Sequence, residues 1–591
     1  MSADTPDTHT SGPPWAWPPL WVRRWRRADL SGDLTAGVVV AVMLVPQSLA
    51  YAMLAGLPPH AGLLASILPL VAYALFGDSR TLSVGPAAIT SLMVAHALAP
   101  LAPVGTATYL LLSAVLALAS GLLMMVMGVL RMGFLSQLMS QPVVQGFTVA
   151  SALLILLGQW GPLMGWGGLG HTLPDMVATV QALVMKGGMA LSPDAQVGLA
   201  ALFGLWLGPR LIQRLGARAA GAAWTLLAAR LWPLVVLVGA AAWAWWGRDG
   251  FSADVKVVGA LTLGGWGQAW QGASALGWVE VQALALPVLL VSLVGFVSSM
   301  SVAQTFALKH SERVDADREL LGLGLANVGS AALGGLAVAG GLSRTVVNEA
   351  AGARSPLAGI ITASLLVVLM LLVLPALAWL PKSALAAVII MAVINLVTFQ
   401  PWRATWAYDR ADAGAFACTL LGVLLLGFEV GLLAGLMWSL AAMVWRHSQP
   451  HMAEVGRVPG TEHFRNVGRH QVEVLPGVLM VRVDESLDFT NIQRVEQGFN
   501  DLLARRPGTH AIVVLMSAVN HIDHTALSAL SEWHKTLSRQ GIALYLTDIK
   551  GPVMDRLQST EWMQRLQGHV FLSAQHVWAQ LSNPGATRPI I

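Results

Sequence analysis

Apolar residues in this chain come in long blocks rather than in alternation with polar ones. Four stretches, 34–77, 81–130, 132–174 and 355–381, contain no Asp, Glu, Lys or Arg. A helix needs about 20 apolar residues to cross a bilayer, so each of the first three stretches holds two crossings. The whole pattern predicts about fourteen apolar segments, not all of full length. After residue 447 the pattern changes and the density of charged residues roughly doubles. GVLMVRV (477–483), AIVVLMS (511–517), IALYLTDI (542–549) and HVFLS (569–573) read as strands. NIQRVEQGFNDLLARR (491–506), HTALSALSEWHKTLSRQ (524–540), the stretch around PVMDRLQST and a last segment read as helices. Strands alternating with helices predict a small soluble α/β domain.

Two apolar segments are interrupted in the same way. LSVGPAAITSLMVAHAL (82–98) meets Gly85 and Pro86 before a short helical run, and AGGLSRTVVNEAAG (339–352) has glycines before an equally short one. Interrupted helices at matching places in two halves of a membrane protein point to a transport site. A helix start exposes unpaired N–H groups and about half a positive charge, so two such starts facing each other at mid-membrane would cradle an anion. Pro86 suits a position just before a helix start. Ser343 could cap or donate, and Arg344 adds a full charge with a fork of donors. Glu349, five residues on, is off the Arg344 helix face. Gln47 and Tyr51 lie four apart and so share a helix face. Plain alternatives at this point are ordinary helix ends, a structural Arg344 and a helix–helix hydrogen bond at Gln47.

Composition supports the membrane reading. Mean hydropathy is +0.64 and only 11% of residues are charged, against about 25% in soluble domains. The chain is expected to be a polytopic α-helical membrane protein with a soluble tail. Its expected domains are a cytoplasmic N-terminal segment (1–30), a transmembrane domain (31–447), a linker (448–470), the α/β domain (471–585) and a short C-terminal tail (586–591). The net charge is only +4, but WVRRWRR (21–27) and the cluster Arg210, Arg214 and Arg218 are concentrated basic groups. The positive-inside rule puts them, with the N-terminus, on the cytoplasmic side. No cleavable signal is visible. Tryptophans such as those of WAWPPLW (15–21) fit interfacial belts. The single cysteine, Cys418, excludes an internal disulfide and reads as a small core residue. KHSERVDADREL (309–320) reads as a charged, solvated loop, and Glu429 as part of a short turn.

The stretch 32–69, with PQSLAYA at 46–52, resembles the first two helices of the SulP sulfate permeases and their animal relatives, the anion exchangers and prestin. SVGPAAITSLM (83–93) resembles their third helix, and 293–356, with GGLSR at 340–344, their eighth to tenth. The tail resembles the STAS domain these transporters carry. The resemblance covers nearly the whole chain in the family's order. It implies two inverted seven-helix repeats forming core and gate parts, a homodimer, and an anion bound between the third and tenth helices. By position it implies an anion site made of Gln47, Tyr51, Ala87, Ala88, Ser343 and Arg344.

Two departures refine that expectation. Where many relatives place an acidic residue on the eighth helix, this chain has Ser298, which cannot carry a proton or a full charge; cation coupling is therefore not expected. Ala87 replaces a phenylalanine of some animal members and leaves room for an oxyanion. In the tail, His524 occupies the serine position that related soluble STAS proteins phosphorylate, and the run 521–524 has no third metal ligand. The tail's expected work is dimer contact, folding support and partner binding. No phosphate loop, Ser-His-Asp set or zinc spacing appears. The chain is thus expected to be no enzyme, with no cofactor, metal or nucleic-acid partner, set in a bacterial inner membrane. Transport of an inorganic oxyanion, sulfate first, is the leading expectation. Bicarbonate–chloride exchange, dicarboxylate transport and an anion-sensing scaffold are the rivals.

Overall fold

The structure, a computed structural model, describes residues 21–22, 25–137, 139–170, 172–185, 192–219, 222–247, 254–259, 270 and 277–583. Residues 15–20 of the tryptophan-rich stretch, Arg23, Arg24 and the 586–591 tail lie outside the described residues. Packing divides the chain into two compact units, Met1–Ser439 and Leu440–Ile591.

The first unit is helical. In order it contains α1 (Leu30–Leu54), α2 (Pro59–Leu64), α3 (Leu68–Phe76), β1 (Val84–Gly85), α4 (Ala88–Leu98), α5 (Ala107–Val129) and α6 (Gln141–Met164). Next come α7 (Leu173–Met185), α8 (Pro193–Ala219), α9 (Ala222–Trp246), α10 (Trp278–Ala283), α11 (Ala285–Lys309) and α12 (Ala316–Ala332). β2 (Ala339–Gly340), α13 (Leu342–Ala350), α14 (Leu357–Leu377), α15 (Lys382–Val393), α16 (Gln400–Tyr408), α17 (Arg410–Leu426) and α18 (Phe428–His447), which runs on past Ser439, complete the series. Among the described residues, eight helical stretches are long and apolar enough to cross a membrane, and α4 is one of several shorter apolar helices. Most breaks follow from local chemistry. Thr106, Asp315 and Asp409 cap α5, α12 and α17 through their side-chain oxygens, and Gly427, at φ +94°, separates α17 from α18.

One polar contact ties the two halves of this unit together. Asp33, buried on the first turns of α1, accepts hydrogen bonds from the N–H groups of Arg354 (2.7 Å) and Ser355 (2.9 Å) and from Ser355 Oγ (2.6 Å). It thereby holds the entry to α14 from 321 residues earlier in the chain. Each donor left unpaired in a buried place costs about 1–3 kcal/mol. Asp33→Ala should therefore lower the melting temperature in detergent clearly, whereas Asp33→Asn, which keeps one acceptor oxygen, should lose less; equal melts for all three proteins would refute this tie.

The charged run 309–320 is not the solvated loop the sequence led us to expect. α12 begins inside it at Ala316, capped by Asp315, and Glu319 is fully buried. Its carboxylate accepts from Tyr73 Oη at 2.7 Å and from the Asp78 N–H at 3.3 Å. Helix periodicity turns this one acidic position inward while Asp315, Asp317 and Arg318 stay nearer the surface.

The second unit carries β3 (Met452–Arg457), β4 (Phe464–Asn466), β5 (Val478–Val483), α19 (Ile492–Arg505), β6 (Ala511–Leu515), α20 (His524–Arg539), β7 (Ala543–Thr547), α21 (Gly551–Leu557), α22 (Glu561–Arg565), β8 (Val570–Phe571) and α23 (Ala574–Ser582). They build one six-stranded sheet of order β4-β3-β5-β6-β7-β8. β5 to β8 run parallel, and β3 and β4 are antiparallel at one edge. Alternate residues of β5 serve opposite faces. Leu479 and Val481 meet Phe499 of α19 and Trp533 of α20, whose rings stack at 4.5 Å, while Met480 meets Trp578 of α23. Residues 448–470, expected as a linker, supply β3 and β4 instead. Next to β5, burial works against the Asp484 charge, yet hydrogen bonds from Arg482 and His451 outweigh it and hold the carboxyl below its ordinary range.

Candidate functional site

β1 and β2 are two-residue strands with one purpose visible in their register. They pair antiparallel, Val84 opposite Gly340 and Gly85 opposite Ala339. Each is followed at once by a short helix, α4 after β1 and α13 after β2. The pairing therefore brings the starts of two half-helices together, as the two interrupted segments predicted. Ala87 is the N-cap of α4 and Gly341 the N-cap of α13, both in extended conformation and neither giving a side-chain hydrogen bond. α5, α12 and α17 spend a hydroxyl or carboxylate on their first-turn N–H groups; these two do not. Their first-turn donors have no intrahelical acceptor either. The result is a pair of adjacent, unquenched positive dipole ends.

A side chain on Gly341 would spoil this place. A Cβ built there falls 2.8 Å from Arg344 Nη2, so the usual Ser or Asp cap would have to push the guanidinium aside. The Arg344 side chain is 1% exposed, among the largest fully buried in the molecule. Its Nη1 donates to the Pro86 carbonyl and its Nη2 to the Ala339 carbonyl at 3.4 Å. Nε is buried without a partner. The guanidinium thus bridges the two interrupted segments and leaves its charge at their crossing. Glu349 is engaged elsewhere, accepting from Lys309 Nζ at 2.6 Å. The sequence pointed to a fork of donors aimed at a ligand; two of those donors instead meet main-chain carbonyls, which the pairing of β1 with β2 leaves in reach.

The remaining expected residues collect around this crossing. Ala88 opens α4, and Ser343, exposed, lies on the first turn of α13. Gln47 and Tyr51 share one face of α1, 9% and 6% exposed. Tyr51 lies within electrostatic reach of Arg344. Gln47 has a buried Oε1 without a partner and lines a cavity of about 220 Å³ with Met43, Leu205, Val347 and Met391. Val347 is one helical turn beyond Arg344, so this cavity lies along the α13 surface. Ser298 is half-buried and donates to the Gly295 carbonyl at 3.2 Å.

Several residues that hold the crossing were not found in the sequence. Asn327 on α12 clamps Val338 from both sides: its Nδ2 donates to the Val338 carbonyl (3.0 Å) and its Oδ1 accepts from the Val338 N–H (2.9 Å). Thr345 Oγ1 accepts from the Ser83 N–H at 3.2 Å, and Asn348 Nδ2 donates to the Thr81 carbonyl at 2.9 Å. Ser299 accepts from the Gly340 N–H at 2.7 Å. An amide in an apolar helix, as at Asn327, is the one usable signal among them, because a buried polar group must find partners. In the soluble domain, His524 opens α20 exposed to solvent with Asp523 as the cap, and among the described residues no cluster of metal-binding groups occurs.

Crossed half-helices in a bundle of apolar helices, with a soluble α/β domain attached, define a multi-pass membrane transporter. Residues 30–419 match the sulfate permease family and residues 469–575 the STAS domain. The chain belongs to the sulfate permease family. It is 30% identical to a probable sulfate transporter of Mycobacterium tuberculosis over 562 residues, covering 95% of this chain and 96% of that one. It is also 30% identical to the chloroplastic sulfate transporter 4.1 of Arabidopsis thaliana, covering 89% and 76%. The structure of the murine solute carrier 26 family member A9 anion transporter, in an inward-facing state, superposes with a TM-score of 0.82 at 22% identity, over 95% and 93% of the two chains.

Proposed function

We propose that this protein is a secondary transporter that carries an inorganic oxyanion, sulfate first among them, across the membrane by alternating access. The observation that carries the reading is the crossing itself: two uncapped helix starts joined by β1 and β2, with one buried guanidinium between them. The anion is held by first-turn N–H groups of α4 and α13 at Ala87, Ala88, Ser343 and Arg344, with Gln47 and Tyr51 as the facing wall. Backbone donors suit an oxyanion, which offers acceptor oxygens in several directions. The names of the bacterial and plant relatives support sulfate as the cargo. The protein works as a homodimer in the bacterial inner membrane, with its N-terminus and its STAS domain in the cytoplasm. The membrane part transports, and the STAS domain, whose sheet begins with β3, supports folding and recruits cytoplasmic partners.

The test is uptake of labelled sulfate by the purified protein in proteoliposomes, with bicarbonate, chloride and dicarboxylates as competitors. Sulfate should compete best; a stronger bicarbonate or dicarboxylate would reassign the cargo. Protein that moves no anion but recruits partners through the STAS domain would favour the scaffold reading. Because Ser298 offers no carboxylate, imposed proton or sodium gradients should leave the initial rate unchanged within about twofold. A several-fold gradient dependence would place a coupling group elsewhere.

A further inference from the structure

We propose that Ser299 on α11 is a positioning residue for the anion cradle, acting through the Gly340 backbone; this rests on the reading of the crossing as the transport site. β2 has two edges. β1 occupies one, where the Gly341 N–H donates to the Ser83 carbonyl at 3.1 Å. In an antiparallel pair successive N–H groups point to opposite edges, so the Gly340 N–H faces away from β1. It finds Ser299 Oγ at 2.7 Å. The same hydroxyl donates to the Gly295 carbonyl, one turn back on α11, at 2.5 Å. Ser299 and Gly340 are both buried. One side-chain oxygen therefore serves as the third rail of the crossing, with its proton spent on its own helix and a lone pair on the strand.

The consequence lies one residue further on. Gly340 directly precedes Gly341, the N-cap of α13, so its orientation sets the aim of the N–H groups of Leu342, Ser343 and Arg344. A serine in an apolar helix usually bonds only to its own preceding turn. Ser301, two residues on, does so, donating to the Val297 carbonyl at 2.8 Å from an exposed position. Asn327 fixes Val338, two residues before Gly340, and so anchors the approach to the strand rather than its ligand-proximal end. Ser299 and the half-buried Ser298 share the Gly295 carbonyl.

The experiment uses the full chain in proteoliposomes and reads the sulfate dependence of uptake. Ser299→Ala should raise KM about tenfold with maximal rate changed less than about threefold, as expected when a buried N–H loses its acceptor. Ser301→Ala removes the same kind of bond to the preceding turn on the exposed face and should keep the wild-type KM. Ser299→Thr, which restores the hydroxyl, should bring KM back toward wild type. If the alanine variant does not reconstitute, Ser299→Cys carries the test: folded protein with a raised KM supports the proposal. Hydrogen exchange of the amides at 340–344 gives a readout independent of cargo and should speed about tenfold in the alanine variant. Unchanged exchange, or a wild-type KM in folded Ser299→Ala or Ser299→Cys, overturns the proposal. Wild-type protein that moves no anion would instead sink the transport reading, while the exchange result still decides the role of Ser299.

Discussion

Arg344→Ala should reduce labelled-sulfate uptake to the level of empty proteoliposomes, a loss of about a hundredfold or more. Two separate contributions disappear together. The Pro86 and Ala339 carbonyls lose a charged donor, and each such bond is worth about 1.5–3 kcal/mol. The crossing also loses its only full positive charge supplied by the expected site residues, and a buried charge acts strongly because little water screens it. Arg344→Lys separates the two. It keeps the charge, but an ammonium is a single point and cannot bridge two carbonyls as the planar fork does. Uptake by the lysine variant should therefore fall between the other two, with a raised KM. Wild-type uptake in the alanine variant would remove Arg344 from the site. Equal losses in both variants would show that bracing, not charge, is its contribution.

Gly62→Ala should give the largest loss of stability of any single-methyl addition near the site. A Cβ at Gly62 would lie 1.8 Å from the carbonyl oxygen of Ser48 and 3.0 Å from the Ala52 methyl. The oxygen belongs to backbone and the backbone fixes the position of the added Cβ, so no rotamer change relieves the overlap; α1 and α2 must separate. Overpacking of this kind costs about 1–3 kcal/mol and more where backbone is involved. The separation also breaks a polar clasp, because Ser66 Oγ donates to the Gly62 carbonyl at 2.8 Å and meets Ser48 Oγ at 2.7 Å. Ser48 lies between Gln47 and Tyr51 on α1, so a variant that still folds should bind its anion more weakly. Thermal melts in detergent, paired with uptake on the surviving protein, measure both effects. A melt equal to wild type would show that α1 and α2 yield far more easily than their packing implies.

How much of this was legible in the sequence differs from element to element. The half-helices announced themselves, because Gly85 with Pro86 and Gly340 with Gly341 cannot continue an apolar helix, and Arg344 has no cheap place in a bilayer. What joins them did not, because a two-residue strand has no periodicity to read. Without β1 and β2 the Pro86 and Ala339 carbonyls could not be placed, so the guanidinium was expected to meet only the ligand. Ser298 and Ser299 are equivalent in FVSSMS, and only the direction of the Gly340 N–H distinguishes them. Glu319 was hidden by its charged neighbours, since a run of like composition conceals a single inward position. β3 and β4 were hidden for a related reason: MAEVGR mixes charge with apolar residues over only six positions, and so resembles a linker. The central strands of the STAS domain, nearly continuous in apolar residues, were plain.

The paired strands constrain how cargo can be handed from one side to the other. A machine that opened like a clamshell between α4 and α13 would have to tear apart a hydrogen-bonded seam and pull a guanidinium off the Pro86 carbonyl at every cycle. A machine that ferries the seam whole, as a carriage with its seat bolted in, breaks none of those bonds and meets resistance only along the greasy rails beside it.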